Sequence, residues 1–278
     1  MAAVRKEDML NGFKAAGIQK GDVLFVHASL RAFGKVEGGA KTAAEALVEA
    51  VGQEGTVVVP AFTFSRGSGK DPVIDPRNDP SEVGAVTEAV RTMPQAKRSL
   101  AYRHSVAAVG RKAGEITEAN PEVSVFDMEG AFGKMLNLDA KIVLLGVPYT
   151  VSTSHHFAEY LLQVPYRFTV PKQVRVRQAD GTVTEHRMTD YRPKPRKDGS
   201  YYPKPVDFNK LGKLLEERES VNIVTLGNAI VRVFRMKDLI ELAKREYRTC
   251  SDMLFMAVDA SSVTDIRVVV DEERMYRR

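Results

Sequence analysis

Residues 141–166 read KIVLLGVPYTVSTSHHFAEYLLQVPY. The first seven, Lys141 to Val147, are the most hydrophobic run of the chain, and their length and aliphatic content fit a strand buried on both faces. A Ser/Thr-rich turn follows, and from about Thr153 to Leu162 the apolar residues recur at helical spacing. A buried strand feeding a helix through a short turn is the building unit of an α/β sheet.

The unit recurs towards the N-terminus. Arg5 to Ala16 is an amphipathic helix carrying Met9, Leu10 and Phe13, with Gly17 as its stop. Strands are expected at Asp22–His27 and at Gly55–Pro60, the latter β-branched and fenced by Gly and Pro, with a helix over Thr42–Val51 between them. Pro80-Ser81-Glu82 opens a helix to about Met93, with Ser81 as its N-cap. His104–Gly110 reads as a strand followed by a short helix over Ala113–Ala119, and Asp127–Leu136 as a turn into another short helix.

The second half differs. Tyr166–Arg177 and Thr182–Met188 flank Asp180-Gly181, a hairpin signal. Tyr191–Pro205 is Pro-rich, basic and aromatic, and reads as a loop. A helix over Asp207–Glu217, strands over Val221–Leu226 and Ala229–Phe234, and a helix over Lys237–Glu246 follow. The expectation is a three-layer α/β/α fold with a mostly parallel mixed central sheet. It forms a single domain over residues 1–278, with a hairpin-and-loop excursion at about 165–205.

Composition narrows the class. The 278 residues are 44% hydrophobic and 28% charged, which excludes a disordered or collagen-like chain. No run approaches 18 apolar residues, so no membrane span is expected. MAAVRKEDML lacks the apolar core of a signal peptide, and the single cysteine, Cys250, cannot form an internal disulfide; a reducing cytoplasm is the expected compartment. Cys250 reads as an inert residue near a helix end. The 41 Lys+Arg against 36 Asp+Glu give a net charge of +5. That balance suits an anionic ligand, leaves nucleic acid open, and complements a cationic substrate poorly.

Ligands of open α/β sheets sit beyond the carboxyl ends of the strands, which is where His156 falls. Three residues apart on a helix, His156 and Glu159 share a face, while His155 points about 100° away. A carboxylate beside an imidazole fixes its tautomer and stabilises the protonated ring, giving a general base with its orienting group. The alternative is an ordinary surface His–Glu pair. The His-Glu-x-x-His helix motif is absent and no metal site is expected.

A second candidate is HASLRAFGKVEGGA at 27–40, again after a strand end. Its small residues let backbone approach a ligand, and the helix that follows presents a positive end to an anion. It matches neither the dinucleotide fingerprint nor the P-loop, and a plain glycine turn is the other reading. Arg103-His104-Ser105-Val106 at a strand start is equally readable as a buried, backbone-bonded pair. The aromatic and basic interleaving of 191–205 can bind single-stranded nucleic acid, but no nucleic-acid fold signature accompanies it, and a solvated loop is the other reading.

Together these stretches resemble the aminoglycoside 3-N-acetyltransferases, also called the antibiotic N-acetyltransferase family. The matching blocks are HASLRAFGKVEGG at 27–39, VVVPAFTF at 57–64, DPRNDPSEVGAVTEAVR at 75–91, HSVAAVG at 104–110, GAFGKML at 130–136, STSHHFAEY at 152–160, VPYRF at 164–168 and LGNAIVRVFRMKDLI at 226–240. The resemblance implies an acetyl-CoA-dependent transferase of small-molecule amines. Its Thr-x-x-His-x-x-Glu motif falls on Thr153, His156 and Glu159, which it makes the catalytic residues. By the same analogy His27, Ser29, Leu30, Gly34, Val36, Gly38 and Gly39 border coenzyme A, and His104, Ser105 and Val106 lie near its pantetheine arm. Two departures stand out: Tyr102 replaces a common proline, and Gly130-Ala131-Phe132-Gly133 replaces a Ser-Pro-Phe-Gly block.

The resulting expectation is direct acetyl transfer to an amine, without an acyl-enzyme, with His156 as base, Glu159 as its partner, and backbone N–H groups near Ser29 or Thr153 as oxyanion donors. The acceptor implied is the 3-amino group of an aminoglycoside. A different small amine, or a non-catalytic coenzyme A-binding protein, are the alternatives. No nucleic acid or membrane partner is expected, and a homodimer is admitted.

Overall fold

In a computed structural model of the chain, residues 2–67, 73–194 and 208–249 are described. Helix α1 (Lys6–Ala15) leads into β1 (Val23–Ala28), α2 (Gly39–Val51), β2 (Thr56–Pro60) and the single turn α3 (Phe64–Gly67). Next come β3 (Val73–Ile74), α4 (Ala85–Arg91), β4 (Lys97–Arg98), β5 (Val106–Gly110), α5 (Ala113–Thr117), α6 (Ala131–Asn137), β6 (Lys141–Leu145) and α7 (Ser154–Leu161). The chain continues through β7 (Arg167–Arg177), β8 (Val183–Pro193), α8 (Asn209–Glu217), β9 (Asn222–Leu226), β10 (Ala229–Arg235) and α9 (Met236–Thr249).

Seven strands form the central sheet in the order β4-β5-β2-β1-β6-β10-β9. The sheet is mixed. Parallel pairing is confined to its middle, where β1 lies between β2 and β6. The flanking pairs are antiparallel, so the parallel share is smaller than strand–helix alternation alone suggests. For β9 and β10 the cause is connection length: Gly227 and Asn228 join them, and so short a turn permits only an antiparallel hairpin. Gly227 takes φ +59°, and a Cβ there would press on the Phe33 carbonyl.

Strand alternation sorts the core into two layers. Leu24, Val26, Val57, Val59, Val143 and Leu145 face α1, α2 and α4. Phe25, Val58, Ile142 and Leu144 face the opposite way, against α5, α6, α7 and α9. Parity therefore decides which layer a strand-end residue serves, and His27 shares the face of Phe25.

The hairpin expected in the second half is β7–β8, turning through Asp180-Gly181. With β3 it makes a separate three-stranded sheet over a small core of Ile74, Val174, Val176 and Met188. The loop expected from Tyr191 starts later, because the ladder continues to Pro193. The rest of that stretch, and Cys250, lie outside the described residues. Ser81 does not cap α4. The helix starts at Ala85 behind Gly84, and the Ser81 hydroxyl bonds Pro60 and Thr87 instead. Among the described residues no helix is long and apolar enough to cross a membrane.

Candidate functional site

The sheet runs out at Leu145, and the chain makes a short turn over Tyr149–Val151 before α7 begins. No side chain of α7 caps its first turn. The cap comes from across the sheet: the Thr153 N–H donates to Nε2 of His27 at 3.1 Å, and Thr153 Oγ1 lies 3.1 Å from the same nitrogen. Accepting from the backbone fixes Nε2 as the unprotonated nitrogen of His27. His27 is only 6% exposed, and burial pulls its pKa down to about 3, so it stays neutral.

Held in this way, α7 presents two histidines differently. His155 is fully buried and stacks on Phe208 at 4.6 Å. Burial, with His156 nearby, lowers its pKa to about 3. His156 lies on the open side with its side chain 20% exposed, and its Nδ1 meets Glu159 Oε2 at 2.5 Å. Glu159 has no exposure at all. Its carboxylate also accepts from the Tyr166 hydroxyl at 3.2 Å and faces Arg167 Nε at 3.3 Å. Burial, together with the Glu159 charge, pushes the Tyr166 phenol far above its ordinary range, so it remains a donor. The Arg167 guanidinium in turn lies over the Tyr191 ring at 5.0 Å. A buried carboxylate needs such partners, since an unpaired charge in this interior costs several kcal/mol.

The arrangement supports base chemistry. Glu159 occupies Nδ1 of His156, which makes Nε2 the ring nitrogen suited to taking a proton from a substrate. Phe208 meets the His156 ring edge-on at 5.0 Å, and the His104 ring lies 6.2 Å away.

The other nominated residues separate into groups. Ser29 stays at the end of β1, where its N–H donates to Leu145 O. Leu30 begins a short 3-10 turn to Phe33, and Gly34 takes φ +82° with Asn228 packed against it. Val36 bridges Val4, pinning the loop from the N-terminus. Gly38 adopts left-handed backbone at the start of α2, whose first turn carries no acidic residue. Ser105 is buried, with its hydroxyl on Ala61 O, and Val106 is a core side chain facing α5 and α6. His104 is half-buried beside His156.

His27 is buried as the clamp on α7. The N–H groups of Ser29 and Thr153 themselves already donate inside the protein.

Sequence reading assigned no role to Tyr166, Arg167, Tyr191 or Phe208. The VPYRF block held the first two, but nothing local to it shows that β7 returns to Glu159. Arg98 was also missed. Its guanidinium bonds the carbonyls of Ala61 and Asp79 and the Thr63 hydroxyl, joining the loops beside His104. Among the described residues no three metal-ligating side chains converge.

The chain is 28% identical to the aminoglycoside N(3)-acetyltransferase IV of a Salmonella species, over 86% of this chain and 85% of that one. It is 24% identical to the aminoglycoside N(3')-acetyltransferase-like protein YokD of Bacillus subtilis, over 86% and 91%. The crystal structure of aminoglycoside acetyltransferase AAC(3)-IIb superposes with a TM-score of 0.78 at 24% identity, covering 93% of this chain and 100% of that one. A histidine-to-alanine variant of AAC(3)-IVa in complex with a gentamicin superposes at 0.77 and 22% identity, over 97% and 99%. The model of the aminoglycoside 3-N-acetyltransferase family matches residues 25–248. The chain belongs to that family and is an acyltransferase.

Proposed function

We propose that the protein transfers an acetyl group from acetyl-CoA to the 3-amino group of the 2-deoxystreptamine ring of aminoglycosides, by direct attack of the amine. The observation that carries this reading is the 2.5 Å contact between His156 Nδ1 and a fully buried Glu159, at the carboxyl end of the central sheet. The acceptor amine binds beside the thioester, and Nε2 of His156 removes its proton as nitrogen bonds to the carbonyl carbon. The carbon–sulfur bond then breaks, and the proton passes from His156 to the departing thiolate. Glu159 stabilises the imidazolium in between. General-base help of this kind is worth roughly 10²–10⁴-fold, and juxtaposition of the two substrates supplies much of the rest.

Features of the 29–39 loop fit the phosphates of coenzyme A. Its glycines take positive φ, α2 opens on it without an acidic residue, and Lys41 beside that helix start is 85% exposed. The donor places the reaction in the cytoplasm. The net charge of +5 favours a second reading, in which the acceptor is a less cationic small amine.

The test uses purified wild type, His156→Ala and Glu159→Gln, with acetyl-CoA and a panel of aminoglycosides and simple amines. Thiol release should be abolished by the first substitution and reduced by the second; full turnover by His156→Ala rejects the proposed base. Titration calorimetry should show saturable coenzyme A binding, weakened by Ser29→Trp. The amine giving the highest kcat/KM decides between the two acceptors.

A further inference from the structure

Amine attack on a thioester moves negative charge onto the carbonyl oxygen, and stabilising that charge is commonly the largest single contribution to acyl transfer. The N–H groups of Ser29 and Thr153 themselves are already engaged. A side-chain donor stands on the other side of His156.

His104 has five properties that suit it. It is a non-glycine residue in left-handed backbone, at φ +56°, shortly before β5. Backbone strain of this kind persists where the surroundings over-determine a conformation, and it concentrates at functional sites. Its ring is held edge-on by Phe62 at 5.0 Å and packs on Phe126 at 5.2 Å. The residues after it are fixed: Ser105 Oγ bonds Ala61 O, and Ser99 Oγ accepts from the Val106 N–H. Neither ring nitrogen is engaged by a hydrogen bond among the described residues, although the ring is half-buried and faces His156 at 6.2 Å. Desolvation, with His156, Arg167 and Arg103 adding positive charge nearby, holds the ring neutral, so it keeps one N–H to donate.

We infer that His104 is a further catalytic residue, donating a hydrogen bond to the carbonyl oxygen of the acetyl thioester while His156 removes the amine proton. This deepens the proposed function and rests on it. With their centroids 6.2 Å apart, the two rings border one space, in which His104 would meet the carbonyl oxygen and His156 the attacking amine. His104 transfers no proton. As the carbon–nitrogen bond forms, the carbonyl π electrons move to oxygen against the His104 N–H, and they return when the carbon–sulfur bond breaks. The amine proton travels through His156 to the thiolate.

Two substitutions separate donor from strain. His104→Asn keeps a side-chain donor and tolerates left-handed backbone; His104→Gly relieves the strain and removes the donor. The assay measures kcat and KM for acetyl transfer and the coenzyme A Kd by calorimetry on the full chain. The Gly variant should lose roughly 10²–10³-fold in kcat with KM for acetyl-CoA and Kd near wild type, and the Asn variant should recover most of that loss. A Gly variant that turns over like wild type, or an Asn variant as poor as Gly, overturns the role. A measurement on wild type covers the case of a variant that does not fold. The carbonyl stretch of the ketone analogue of acetyl-CoA, with CH2 in place of sulfur, should shift to lower frequency on binding; an unshifted band overturns the role. Wild-type protein without acetyl transfer rejects both this role and the proposed function. Wild-type transfer with an unimpaired Gly variant rejects His104 alone.

Discussion

Nε2 of His27, at the end of β1, accepts the N–H of Thr153 from 126 residues further along the chain, and that bond sets where α7 starts. Replacing His27 with Ala removes a buried ring and leaves the Thr153 N–H without its acceptor. The expected cost is about 3 kcal/mol of stability. Because α7 carries His156, kcat should fall on the order of 10²-fold, while KM for acetyl-CoA changes little. Urea unfolding and steady-state kinetics check both; a variant with wild-type kcat would show that α7 holds its place without the clamp.

Arg167 is the cation beside a carboxylate with no solvent of its own. Arg167→Met strands the Glu159 charge in the interior and should cost about 3–5 kcal/mol, with a large loss of turnover. Adding Glu159→Gln to it removes the stranded charge, so the double variant should be more stable than Arg167→Met alone. The order of the three melting temperatures settles the point.

His155 gives the opposite expectation. Its ring nitrogens are buried without well-aligned partners against Phe208. His155→Phe keeps the shape and removes two polar atoms, so stability at pH 7 should rise by about 1–2 kcal/mol with acetyl transfer retained. A drop in thermal midpoint would mean that the imidazole contributes a polar contact the stacking conceals.

Low pH should destabilise the fold through the same burial. In the folded state the pKa values of His27 and His155 are depressed to about 3, against an ordinary value of 6.5. Above about pH 6.5 neither state is protonated and no penalty arises. His104 is likewise held well below its ordinary value by burial. As pH falls from there, the unfolded chain takes up three protons that the folded chain refuses, and stability declines by up to roughly 4 kcal/mol per pH unit. The His155→Phe variant should show about two thirds of that slope in chemical unfolding followed between pH 6.5 and 5.

Much of this was legible beforehand because it is local. The β6–α7 unit has its strand and helix periods in adjacent residues, and a three-residue spacing is enough to put His156 beside Glu159. What escaped depends on contacts between distant segments. Tyr166 and Arg167 reach Glu159 only because the chain turns back after α7, through Gln163 in left-handed backbone and the Val164 N–H bond to the Glu159 carbonyl. The resemblance placed His27 in the block beside coenzyme A, and only pleat parity shows that its ring lies on the Phe25 face, beneath α7. β3 and β4 span two residues each, too few for any period. The antiparallel pairing of β9 with β10 follows from turn geometry rather than from strand composition.

The clamp on α7 ties the chemistry to strand alignment. His27 pairs with Leu144 in the β1–β6 ladder, and a slip of one position would rotate the imidazole to the far side of the sheet. No fragment lacking either strand can build the dyad's support, and misaligned molecules would be compact yet inert. Specific activity of a refolded sample would thus count the molecules whose central strands found their correct neighbours.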